Sequence, residues 1–213
     1  MKLNALIFAN YLFAFLLIGA NLCFLPSAIG HSIPLLPGQH LTKGEQQSVF
    51  SPCDKVKIEN YLIGWGHRIE NHRLNIEAII IHSSFNALSD DSFNIGGILR
   101  EYRNIGVSPH YIIARDGTIY RLVADKDVAY HAGKSRLPDG KTDVNAVSIG
   151  IEFINTKKDS PTEAQYLSLA NLVKCLKGKY PIKYILGHSD IAPGRKTDPW
   201  NFDWEKFDEL LRE

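Results

Sequence analysis

Of the 213 residues only three are cysteine and one is methionine. Cys23, Cys53 and Cys175 are far apart, with none of the close pairs from which zinc fingers or redox motifs are built. Two widely separated thiols, Cys53 and Cys175, are left beyond the first thirty residues, and the sequence does not say whether they pair. An excess of charge of one sign is missing too. Lys and Arg number 24 and Asp and Glu 23, for a formal charge of +1, and Lys2 supplies one of the positives. That balance argues against nucleic acid as the main partner. Repeats and low-complexity tracts are also lacking. What remains, 45% hydrophobic and 22% charged residues, suits one ordinary globular core.

The first thirty residues stand apart. Lys2 precedes the apolar run "ALIFANYLFAFLLIGANLCFL" and then "PSAIG", with small residues Ala28 and Gly30 before His31. This is the pattern of a signal peptide. Its length also suits an uncleaved anchor, since about 20 apolar residues can span a bilayer. Either reading puts the rest of the chain outside the cytoplasm, and contact with a membrane follows only if the segment is kept. Residues 31–60, with Pro34, Pro37, Gly38 and Pro52, read as a linker or arm, and residues 61–213 as the folded domain. Nothing in the sequence sets an oligomeric state.

Within that domain, "IEAIIIHSS" carries four isoleucines in six residues and predicts a buried strand ending at His82. Ile95, Ile98, Leu99, Tyr102 and Ile105 recur at helical spacing, with acids before them and Gly106 after. "HYIIARDGTIYRLV" predicts a hairpin turning at Asp116-Gly117, and "AVSIGIEFIN" another buried strand. Ser160, Pro161 and Glu163 read as the capped start of a second helix. "IKYILG" is a further strand. The order predicts an α/β single domain with a central mixed β-sheet flanked by helices.

Polar chemistry collects at the strand exits. Alternation puts Glu152 on one face with Ser148 and Gly150, whose small side chains leave a hollow beside it. His82 and His188 end apolar strands, where open α/β sheets place ligands. Pro193-Gly194 can turn the chain so that Lys196 and Asp198 return towards His188. Two imidazoles and a carboxylate suit zinc with a fourth position open. Spacing alone leaves Asp198 equally explicable by a local turn bond before Pro199, and leaves His110 and His131 as rival ligands.

In order along the chain come "IIIHSS", "VSPHYIIARDGTIYRLV", "AYHAG", "NAVSIGIEF" and "GHSDIAPGRKTDPWNFDW". Together they resemble the zinc-dependent N-acetylmuramoyl-L-alanine amidases of type 2, relatives of phage amidase lysozymes and of the peptidoglycan recognition proteins. The resemblance runs from about Ile76 to Trp204. It implies that one Zn2+ is held by His82, His188 and Asp198, that Glu152 is the catalytic acid and base, and that Lys196 partners the developing oxyanion. It places His110 and His131 outside the ligand set, with His131 and Ser83 as candidate substrate contacts. Part of the family has a catalytic tyrosine before the hairpin histidine. Here that place holds Pro109, which leaves the proton work to Glu152. Ser83 stands where some recycling members carry asparagine. The implied activity is hydrolysis of the bond between N-acetylmuramic acid and L-alanine in peptidoglycan or muropeptides. The alternatives are a non-catalytic peptidoglycan-binding module and an amidase restricted to anhydro-muropeptides.

Overall fold

Period-two alternation gives the strands two usable faces, and the tertiary structure uses both. The computed structural model describes residues 51–213 except 71, 72 and 74. The leader expected over 1–30 and most of the arm expected over 31–60 lie outside the described residues. The last ten residues of that arm are part of the folded unit: Pro52–Lys55 form a 3-10 turn and Ile58–Asn60 form strand β1. A disulfide between Cys53 and Cys175, which the sequence leaves open, ties the turn to helix α3 (Glu163–Lys179).

The main sheet has six strands: β1, β3 (Ala78–Ser84), β4 (Tyr111–Ile113), β5 (Ile119–Arg121), β7 (Ser148–Ile154) and β8 (Tyr184–Gly187). Their spatial order is β1-β5-β4-β7-β3-β8. β4 and β5 are the antiparallel hairpin and all other neighbours run parallel. Gly117 takes φ +85° in the hairpin turn, a conformation that costs glycine little. A separate two-stranded ladder joins β2 (His67–Arg68) to β6 (Val128–Ala129).

One face carries Ile79, Ile81, Tyr111, Ile113, Ile149, Ile151 and Phe153, packed under Leu169, Leu172, Val173 and Leu176 of α3 and Phe207 of α5 (Trp204–Arg212). This is the larger core. Helix α3 starts two residues later than the sequence suggests. Thr162, not Ser160, is its N-cap, in a reciprocal capping box with Gln165, because the threonine hydroxyl reaches the Gln165 amide at 3.1 Å.

The second face is divided. Under α1 (Ile95–Ile105) one cluster gathers Ile98, Leu99, Tyr102, Ile112 and Ile154. A second gathers Ala78, Ile80, Ala132, Leu137, Val144 and Ile191 against α2 (Val144–Val147) and α4 (His188–Ile191). α1 is capped by Asn94, whose side chain accepts from the Gly97 amide at 2.8 Å, and closes on Gly106 at φ +69°. The acids read as its start lie just before the cap. Between the two clusters the strands present His82, Ser84, Gly150 and Glu152.

Candidate metal centre

Register brings the site together. In the parallel β3–β7 pair, His82 stands opposite Glu152, and Glu152 stands opposite Ile112 of β4. Neighbouring strands lie about 4.8 Å apart, so the imidazole and the carboxyl share one face as adjacent side chains. His188 arrives from the exit of β8, which pairs with β3 on its other side. The chain then reverses through Gly194 at φ +75° and returns to bring Asp198 beside His188. A hydrogen bond from the Ser189 amide to the Asp198 carbonyl (2.8 Å) closes the loop. The peptide bond that follows, Asp198-Pro199, is cis.

His82, His188 and Asp198 are all buried, and one ligand atom from each falls within 4.8 Å of the others. His82 Nδ1 and His188 Nδ1 face one another at 2.9 Å. Asp198 Oδ2 lies 3.1 Å from His188 Nδ1 and 3.4 Å from His82 Nδ1. The turn-bond explanation for Asp198 is therefore not what the fold adopts, since the side chain points at the two imidazoles. Burial pushes the His82 imidazole down to about 4, against the pull of Asp198. Burial alone would raise the Asp198 carboxyl, but hydrogen bonds to His188 and His82 outweigh it and hold the group well below the usual carboxylate range. A carboxylate beside two imidazoles is the donor set a borderline divalent cation requires, and the residues present fit zinc.

Glu152, 7% exposed, is pushed up to about 8 by burial and by the charge on Asp198. Hydrogen bonds with Ser84 and Tyr102 and the charge of Lys196 oppose that rise. Lys196 is half-buried at the rim and acts electrostatically on both Glu152 and His82. Sequence reasoning missed Tyr102. From α1 it reaches over the sheet to hydrogen-bond Ser84 and comes close to Glu152, whose charge acts on it. The only signal was its place on the apolar stripe of α1, which a core residue would share.

The two expected substrate contacts, Ser83 and His131, are placed differently. Ser83 is one residue from His82 and so points to the other side of the strand, where its hydroxyl accepts from the Trp200 amide at 3.2 Å. It braces the returning loop and does not reach the cleft. His131 lies beside His82, with Nδ1 3.0 Å from His82 Nε2 and Nε2 3.3 Å from Ser148 Oγ, so both ring nitrogens face inward. His110 is fully buried and belongs to the sheet: its Nδ1 accepts from the Gly150 amide (3.0 Å) and its Nε2 meets the Asp127 carbonyl (3.1 Å). Arg73 spans the loops behind it, donating to the carbonyls of Ala146 (3.0 Å), Asp125 (2.9 Å), Asp127 (2.6 Å) and Asn145 (2.9 Å), and to that of Ser148.

This geometry has known counterparts. The 1,6-anhydro-N-acetylmuramyl-L-alanine amidase AmpD of Escherichia coli (strain K12) is 43% identical over 114 residues, covering 52% of this chain and 62% of that protein. The N-acetylmuramoyl-L-alanine amidase AmiD of the same organism is 36% identical over 170 residues, covering 71% and 59%. This chain thus spans about three-fifths of the length of the curated relatives it matches. The crystal structure of a selenomethionine AmpD derivative superposes with a TM-score of 0.59 at 31% identity, over 70% of this chain and 93% of that one. E. coli AmiD in complex with anhydro-N-acetylmuramic acid-L-Ala-D-gamma-Glu-L-Lys gives 0.56 at 27% identity, over 67% and 60%. The family described as N-acetylmuramoyl-L-alanine amidase matches residues 72–201, which include β3, β4, β5, β7, β8 and the cluster of His82, His188 and Asp198, and the chain belongs to that family.

Proposed function

We propose that this protein is a zinc-dependent amidase that hydrolyses the bond between N-acetylmuramic acid and L-alanine in peptidoglycan or its muropeptide fragments. One observation carries the reading: His82, His188 and Asp198 converge within 4.8 Å on the same face as a buried carboxyl in register with the first of them. A wall-binding module needs none of that, since it has no use for a proton carrier beside a cation site. The names of AmpD and the AmiD complex support anhydro-muropeptides as one substrate form.

Zinc held by His82 Nδ1, His188 Nδ1 and Asp198 would supply Lewis acidity towards a carbonyl oxygen and acidify water near neutral pH. Glu152 takes the proton of the attacking water on its carboxylate and delivers it to the amide nitrogen as the C–N bond breaks. A carboxyl tuned to about 8 without the cation, and lower with one beside it, lies close enough to neutrality to both accept and give. Lys196 faces the carbonyl oxygen as it gains negative charge. Tyr102 and Ser84 hold the Glu152 carboxyl in place.

The compartment proposed is outside the cytoplasm. The Cys53–Cys175 disulfide supports it, because such bonds persist mainly in oxidising surroundings, and so does the leader-like sequence of residues 1–30. The test is mass spectrometry of intact sacculi and of purified anhydro-muropeptides after incubation with the protein, with metal content measured on the same sample. Free stem peptides beginning with L-alanine are expected together with about one zinc per chain. Substrates recovered intact from a zinc-loaded, folded protein would leave the binding module as the better description.

A further inference from the structure

We propose that a chain of hydrogen bonds beginning at the Val144 carbonyl fixes the proton of His82 on Nε2, and that His131 is the positioning residue that transmits this constraint. It rests on the reading of His82 as a metal ligand. A backbone carbonyl only accepts. Ser148 Oγ lies 2.6 Å from Val144 O, so its one proton is committed there. The same oxygen lies 3.3 Å from His131 Nε2 and meets it as an acceptor, which puts the His131 proton on Nε2. Nδ1 of that neutral ring is then bare. It stands 3.0 Å from His82 Nε2, which must donate. With a cation bound, His82 carries no second proton, and the Nδ1 lone pair on the side of His188 Nδ1 and Asp198 Oδ2 would be its ligand atom.

The surroundings hold His131 to this task. A Cβ at Gly150 would collide with its ring, so the glycine is the space the ring occupies. Asn145 Oδ1 accepts from the amides of His131 (3.0 Å) and Ala132 (2.8 Å) and pins the segment. Ala132 in turn offers its carbonyl to His188 Nε2 at 3.3 Å. Two consecutive residues therefore orient both imidazoles, one through a side chain and one through a carbonyl. The two Nδ1 atoms, 2.9 Å apart, are the pair that a cation would take as ligands. Orienting partners of this kind govern metal affinity. Neither nitrogen of His131 is left for substrate.

Zinc affinity of the full-length protein, measured by competition with a chromogenic chelator, tests the relay. His131→Phe keeps the ring and removes the acceptor, and is expected to weaken zinc binding about 10–100-fold. His131→Asn can place Oδ1 where Nδ1 was and is expected to recover most of that loss. Wild-type affinity in a folded Phe variant, checked by its thermal melt, overturns the proposal. A wild-type protein that bound no zinc would instead sink the metal-site reading. The relay is still decided in the metal-free protein by long-range ¹H–¹⁵N NMR of the imidazoles, which also serves if the Phe variant does not fold. A proton on Nε2 of His131 and none on its Nδ1 is expected, and a proton on Nδ1 of His131 overturns the relay.

Discussion

The two faces of the central sheet are made by the same strands and differ by one residue of register. On one, Ile79, Ile81, Ile149, Ile151 and Phe153 form an unbroken apolar layer under α3 and α5. On the other, the alternating positions read Ile80, His82 and Ser84 on β3, and Ser148, Gly150, Glu152 and Ile154 on β7. Side chains on the two faces point in opposite directions, so the first face can supply hydrophobic stabilisation while the second spends burial on polar groups. No buried side-chain nitrogen or oxygen among the described residues lacks a hydrogen-bond partner. That satisfaction is what makes a buried polar strip tolerable.

Substitutions can break this division of labour. The largest effect belongs to the polar face. Glu152→Gln should lower hydrolysis by about 10²–10⁴-fold, the usual contribution of a general acid–base group, with zinc retained. His188→Ala should lose zinc and hydrolysis together. Steady-state rates and metal content separate the two, and a Gln variant cutting at the wild-type rate would end the proton-transfer assignment. On the apolar face, Phe153→Ala should cost about 3–5 kcal/mol in chemical denaturation. Where the variant stays folded, zinc affinity should be unchanged, and a coupled loss of zinc would show that the faces are not independent.

A smaller effect sharpens the contrast through pH. In metal-free protein the folded Glu152 carboxyl is raised from 4.5 to about 8, mainly by burial. The folded state keeps a proton that the unfolded chain has released, so this group makes stability fall as pH rises through that interval, with the loss complete above it. Metal-free Glu152→Gln escapes the loss. Its melting temperature should match or trail wild type near pH 4.5 and exceed it increasingly up to pH 8.5. A constant difference across that range would contradict the assignment. Smallest of all, Tyr102→Phe should cost about 1 kcal/mol of stability, the worth of one hydrogen bond, and lower kcat with KM little changed.

Sequence patterning made much of the larger core legible. Four isoleucines in one run, the alternation of Val147–Ile154 and the helical spacing after Thr162 are local signals, and local signals suffice for an apolar layer. The metal-facing trio was legible only by resemblance, since spacing alone could not choose Asp198 over a turn bond or dismiss His110. What escaped depends on pairing between distant segments. The Cys53–Cys175 bond, the addition of β1 to β5 and the reach of Tyr102 to Glu152 leave no periodic trace. His131 and Ser83 both lie beside His82, one packed against its ring and the other next to it in the strand. Strand parity sets the direction of Ser83, and contacts with His82 and Ser148 from distant segments set that of His131.

The outermost strand has a consequence beyond architecture. β1 lays three residues along β5, with exposed Lys55, Lys57 and Glu59 around it. A sheet margin this short and this charged offers an incoming polypeptide few free rungs and an unfavourable approach. This margin is thereby discouraged from recruiting copies of the chain, or stray extended peptides, into ordered aggregates.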